Sequence, residues 1–221
     1  MTPAWTLPIF PVLFGAVLAS IIAPAQPLTG RWTITIGGIT LLGMGWLVAF
    51  LIYPIYLYRL MTFGLPAPNL RPGMFIAVGP PAFTGLALIN FGSVLANSSE
   101  LHFFANREVA LAVLSAFADL AAVFLWAFSF WIFSFSLIAI AEGVGRMSFH
   151  LVWWASVFPN IVLSLTTGRI GQRLESEGIM WVASVMTIML TAAWIFVLTF
   201  NVRAVYSRQI MMPGKGEDKG K

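Results

Sequence analysis

An all-α protein of six membrane-spanning helices is predicted by three features of the sequence. Only 12 basic and 8 acidic residues occur among 221, or 9%, where soluble domains carry roughly 25%. These charges leave six stretches without Asp, Glu, Lys or Arg, at 1–30, 32–58, 72–99, 120–141, 147–168 and 178–202, each 22 residues or longer. A hydrocarbon core needs about 20 apolar residues at a rise of about 1.5 Å. The third feature is the placement of prolines, which interrupt alternate stretches and sort the six spans into two kinds.

The spans are expected at about 5–23 (A), 33–60 (B), 73–96 (C), 109–140 (D), 148–166 (E) and 178–205 (F) of a membrane domain 1–206. Trp5, Trp32, Trp153, Trp154 and Trp181 fall near span ends, where amphipathic rings settle at the headgroup level. Span D is long enough to require a tilt, a kink or a projection beyond the bilayer. The segment 207–221 is polar, ends in Gly-Lys-Gly-Glu-Asp-Lys-Gly-Lys, and is expected to be a disordered cytoplasmic tail.

The same composition excludes several functions. The chain has no cysteine, so disulfides, thiolate metal sites and thiol catalysis are out. His102 and His150 lie too far apart in sequence for a metal-ligand motif. A net charge of +4 without clustered Lys or Arg argues against nucleic acid. Residues 1–22 lack a basic leader and carry Pro8 and Pro11, unlike a signal peptide. No phosphate loop, HExxH or acid pair marks a catalytic residue, so no enzyme activity, metal or cofactor is expected.

Basic residues set the expected orientation. Arg59, Arg71, Arg146, Arg203, Arg208, Lys215, Lys219 and Lys221 fall on one side, and Arg31, Arg107, Arg169 and Arg173 on the other. The richer side is expected in the cytoplasm, and with it both termini.

Pro8 and Pro11 interrupt A, Pro80 and Pro81 interrupt C, and Pro159 interrupts E. Spans D and F have no proline, and B has only Pro54 near its end. An interior proline removes a donor and strands a carbonyl, at about 3 kcal/mol or more in a helix, and lipid offers no replacement partner. Broken spans are therefore expected inside, continuous ones against lipid. Pro11 and Pro80 lie 69 residues apart and Pro81 and Pro159 lie 78 apart, as in three hairpins, A–B, C–D and E–F, each with the broken helix first. Backbone interruptions meeting at one axis would aim unpaired N–H groups and positive dipole ends at an anion.

Three motifs carry a resemblance. Pro3-Ala-Trp-Thr-Leu-Pro-Ile-Phe-Pro11, Arg71-Pro-Gly-Met-Phe-Ile-Ala-Val-Gly-Pro-Pro-Ala-Phe-Thr84 and Phe149-His-Leu-Val-Trp-Trp-Ala-Ser-Val-Phe-Pro-Asn160 resemble the tellurite-resistance/dicarboxylate transporter family, and within it the fungal malic-acid (C4-dicarboxylate) transporters. The family also includes slow anion channels and sulfite exporters. The resemblance implies a quasi-five-fold pore fold of ten helices in five hairpins. The present chain would correspond to the last six helices, a truncated form, and a homotrimer would be the assembly. It implies transport of C4-dicarboxylates such as malate across the plasma membrane, coupled to protons. Sulfite export, an anion channel and a non-transporting fragment remain the alternatives. The partners implied are a small anionic substrate and the lipid bilayer.

By the same resemblance Phe158, before the proline of the last broken helix, is the pore gate, its alternative being an ordinary core aromatic. Pro11, Pro80, Pro81, Thr84, Pro159 and Asn160 are candidates for pore lining or substrate contact. Thr84 can cap a half-helix. Asn90 and Asn160 can instead join helices, and Gly79 can ease the kink or admit substrate to the backbone. Asp119, the one acid well inside a span, is a candidate for proton coupling, or else bonds a neighbouring helix. His150 is a second coupling candidate, or an interfacial polar residue. Glu142 is placed to pair with Arg146, while Arg169 and Arg173 attract anions or belong to a solvated loop.

Overall fold

A computed structural model describes residues 3–96 and 106–207. His102 and the tail beyond Ser207 lie outside the described residues, and among those described there is no strand. Six helical segments are each long and apolar enough to cross a membrane: Pro3–Ala25, Gly30–Phe63, Pro68–Leu95, Glu108–Arg146, Leu151–Arg173 and Glu177–Tyr206.

Each broken span changes helix type at its proline. Span A is a 3-10 segment, Pro3–Ile9, running into α1, Phe10–Ile22. Span C is a 3-10 segment, Pro68–Val78, followed by α3, Gly79–Ala96. Span E is a 3-10 segment, Leu151–Ser156, followed by α5, Phe158–Arg173. The other three are continuous: α2, Leu28–Phe63, α4, Arg107–Gly143, and α6, Glu177–Tyr206. Pro54 sits within α2 without ending it. The helix of span E continues to Arg173, with Ile170 and Gly171 still buried.

Chain neighbours pair as antiparallel hairpins, α1 with α2, α3 with α4 and α5 with α6, while α3 also packs on α1 and α5. Burial separates the two kinds of span. In the most apolar 18-residue window 89% of residues are buried in C and 44% in A and in E, against 28, 22 and 11% in B, D and F. The continuous helices present Phe50, Leu51, Phe124, Ile138 and Ile188 outward, surface that suits acyl chains far better than water.

Small residues set how closely α2 approaches the broken spans. A Cβ on Gly38 would stand 2.5 Å from the Phe91 ring and 2.7 Å from Ala19, and one on Gly45 would stand 2.7 Å from Leu13. Helix α2 therefore lies directly against α1 and the end of α3. Polar bonds tie the same helices: Asn90 Nδ2 donates to Ser20 Oγ at 3.0 Å, and Thr166 Oγ1 donates to the Ala82 carbonyl at 3.0 Å.

Candidate functional site

The three changes of helix type fall at Phe10-Pro11, Gly79-Pro80 and Phe158-Pro159, and they meet. The Phe10 and Phe158 rings have centroids 5.5 Å apart, Phe10 and Phe83 5.6 Å at 82°, and Phe83 and Phe158 6.1 Å. Gly79 is a glycine for a steric reason. A Cβ there would stand 2.4 Å from Phe10 Cζ, so the ring of Phe10 occupies the space a side chain would need.

A cavity of about 460 Å³ opens on the side of the 3-10 segments, lined by residues of all three. A 3-10 helix has three residues per turn, so side chains three apart eclipse. Ala4, Leu7 and Phe10 thus share one face of span A, Leu70, Gly73 and Ile76 one face of span C, and Val152, Ala155 and Phe158 one face of span E. Counted back from the three prolines, the lining falls into rungs of equal sequence register: Ala4, Gly73 and Val152, then Leu7, Ile76 and Ala155, then Phe10 and Phe158, with Gly79 at their register in span C. An α-helix would have rotated these positions off the common face within two turns. The vestibule wall is apolar and its inner end is closed by rings.

In spans C and E, N–H groups beside the breaks are held by preceding carbonyls, where unpaired N–H groups aimed at an axis were expected. The Gly79 N–H donates to the Ile76 carbonyl, and those of Asn160 and Ile161 donate to the Val157 carbonyl. The exposed problem is on the acceptor side. The Ala77 carbonyl finds Pro80 and Pro81 at both positions that would donate to it in a 3-10 or an α-helix. The Tyr53 hydroxyl of α2 donates to it instead, and Ser129 Oγ of α4 donates to the Val78 carbonyl at 2.8 Å. In span E, Asn160 Nδ2 donates to the Ser156 carbonyl at 2.7 Å, whose 3-10 partner would be Pro159.

Pro80, Pro81 and Pro159 are buried and Pro11 is exposed, all beside the junctions. Thr84 is buried inside α3, and its hydroxyl donates to the Pro80 carbonyl at 2.8 Å. Phe158 is 46% exposed on the vestibule side, where Phe10 is only 5% exposed. Asn160 is buried and faces a second, apolar crevice of about 650 Å³ between α4 and α6. Asp119 Oδ2 accepts from Arg173 Nε at 2.8 Å, and Arg173 Nη2 also donates to Ser115 Oγ at 3.1 Å. His150 is exposed with Nε2 2.8 Å from Ser148 Oγ, one residue before the vestibule-lining Leu151. Asp119 and His150 thus fall on different spans, and neither lines the vestibule.

Glu142 does not take Arg146 as its ionic partner. Arg146 Nη2 reaches only the Glu142 carbonyl, at 3.5 Å, while Arg71 Nη1 lies 3.3 Å from Glu142 Oε2. Arg71 is 7% exposed, and it also donates to the Ala139 carbonyl at 2.8 Å and the Pro66 carbonyl at 3.1 Å. It binds the start of span C to the last turn of α4, where a cation complements the helix dipole. Gly143 leaves room, since a Cβ there would stand 2.9 Å from Nη1. Phe10 was not among the sequence candidates. Its signal was present, because Phe-Pro opens α1 as it opens α5.

Three broken helices joined under an apolar vestibule, each backed by a continuous helix with a lipid-compatible face, define an all-α, multi-pass membrane protein. Residues 1–202 match the family model described as voltage-dependent anion channel, and the chain belongs to that family. It is 34% identical over 221 residues to a malic acid transport protein of Schizosaccharomyces pombe, covering 98% of this chain and 50% of that protein. A putative malic acid transport protein of the same yeast is 33% identical over 220 residues, with the same coverage. A sulfite efflux pump of Arthroderma otae is 26% identical over 204 residues, 91% of this chain and 53% of the pump. The chain spans about half the length of the curated relatives it matches. No solved structure matches.

Proposed function

We propose that this protein moves small carboxylate anions, of the C4-dicarboxylate class to which malate belongs, across a membrane along the axis where spans A, C and E converge. One observation carries the reading: the three junctions meet at the inner end of a vestibule lined by all three 3-10 segments. The greater similarity to malic acid transport proteins than to sulfite efflux pumps favours the dicarboxylate.

The chemistry follows from the wall. An unpaired carboxylate entering low dielectric costs tens of kcal/mol by Born estimates, and an apolar constriction blocks it further by shedding water. The arrangement described is a closed one. Phe158 serves as the pore gate, its ring half-exposed at the narrow end. Pro11, Pro80, Pro81 and Pro159 set the breaks, and Thr84 and Asn160 hold carbonyls beside them. Conduction requires the rings to turn aside and the path to hydrate. Proton coupling, which lessens the charge of a dianion before desolvation, belongs to His150, adjacent in sequence to the vestibule-lining Leu151, more readily than to Asp119, which is ion-paired. The plasma membrane, cytoplasmic termini and a homotrimer complete the proposal.

The test is uptake of labelled malate and of sulfite by proteoliposomes containing the protein, at matched membrane potential. Malate flux well above that of protein-free vesicles is expected. Flux of sulfite alone would replace the substrate, and flux of neither would overturn the reading.

A further inference from the structure

We propose that Phe10 is a second gating residue, seated in a notch made by Gly79 and closing the vestibule jointly with Phe158. The inference rests on the transport reading above and adds a residue to the same constriction.

Three observations carry it. Phe10 and Phe158 occupy the same position in their repeats, immediately before the proline that opens an α-helix. Their rings touch across the vestibule end, at 5.5 Å between centroids, and both line the cavity. The third repeat has glycine at that position, and its missing side chain is the space that the Phe10 ring fills. Three phenylalanines would not fit in one rung, and two with a glycine do. Phe158 is half-exposed whereas Phe10 is nearly enclosed by Gly79, Phe83 and Phe158. Phe158 is therefore the ring with room to turn, and Phe10 is the seat against which it closes. Rotation of Phe158 alone leaves the Phe10 ring across part of the path.

The experiment measures chloride and malate flux in proteoliposomes carrying the protein with Phe158→Ala, Phe10→Ala, both changes, or Gly79→Ala. Each single phenylalanine change is expected to raise basal flux several-fold. Gly79→Ala is expected to mimic Phe10→Ala by expelling the ring, and to add nothing once Phe10 is alanine. A rise with Phe158→Ala and none with Phe10→Ala overturns the inference and leaves the transport reading standing. No flux in any variant overturns both.

Because the chain has no cysteine, Phe10→Cys with Phe158→Cys provides a second measurement that does not depend on alanine variants. A short bifunctional methanethiosulfonate is expected to bridge the pair and to lower the flux of that variant, with recovery on adding reductant. Bridging without any change in flux, or failure of the pair to bridge, would overturn the shared closure.

Discussion

The hydroxyl of Tyr53 in α2 donates to the carbonyl of Ala77 in span C, the acceptor that Pro80 and Pro81 leave without a backbone donor. The proline break and a tyrosine of the continuous helix packed against it are thus one structural unit. A buried acceptor left unsatisfied costs about 1–3 kcal/mol. Tyr53→Phe keeps the ring, whose edge-to-face contact with Phe128 has centroids 5.2 Å apart, and removes only the donor. The expected loss of stability is about 1–3 kcal/mol, read as a lower midpoint of thermal unfolding in detergent. An unchanged midpoint would mean that another donor reaches Ala77.

Gly37 and Gly38 are adjacent in α2 and should respond oppositely to alanine. A Cβ on Gly38 meets Phe91 at 2.5 Å and Ala19 at 2.7 Å, and one on Gly37 meets nothing within 4 Å. Gly38→Ala is expected to destabilise by about 1–3 kcal/mol through overpacking. Gly37→Ala should be neutral or stabilising by up to about 1 kcal/mol from helix propensity. Thermal unfolding of the two variants, side by side, checks the contrast.

Arg71 tests whether carbonyls or the carboxylate hold the start of span C. Glu142 is more than half exposed, so Glu142→Gln should cost under about 1 kcal/mol. Arg71→Met removes the donors to Ala139 and Pro66 as well, and should cost about 2–4 kcal/mol, the scale of several charge-assisted hydrogen bonds. Equal effects of the two substitutions would assign the contact to the ion pair alone.

Asp119 and Arg173 join α4 to the end of α5 through a bond of 2.8 Å. Both side chains are partly exposed, so a double-mutant cycle with Asp119→Asn and Arg173→Gln should return a coupling below about 1 kcal/mol. The swap Asp119→Arg with Arg173→Asp should recover most of the yield lost by either reversal alone. A swap no better than the single reversals would show that Asp119 has a role other than pairing.

The alternation of broken and continuous helices was legible because a proline's missing donor is a local property, and lipid makes its consequence strict. Each of Pro11, Pro80 and Pro159 does mark a change of helix type. Sequence does not show that the segment before each proline is a 3-10 helix rather than an open turn, so it does not show that preceding carbonyls hold the N–H groups of Gly79, Asn160 and Ile161. In sequence the base nearest Glu142 on its side of the membrane is Arg146. Arg71, 71 positions away, wins because it arrives buried and with carbonyls already in reach. Phe10 shares with Phe158 its place before a proline. Only the three-dimensional meeting of the repeats shows why Gly79 stands where a third ring would clash.

The central claim is that the face shared by the 3-10 segments is the anion's route. The most direct measurement introduces single cysteines at Leu7, Ile76 and Ala155, one from each broken span on the same rung, and at Ile188, exposed on α6. Modification by a negatively charged, membrane-impermeant methanethiosulfonate is then followed with and without malate. Modification is expected at the three rung positions, slowed by malate, and none at Ile188. Modification that spares the rung, or that malate leaves unchanged at every position, would contradict it.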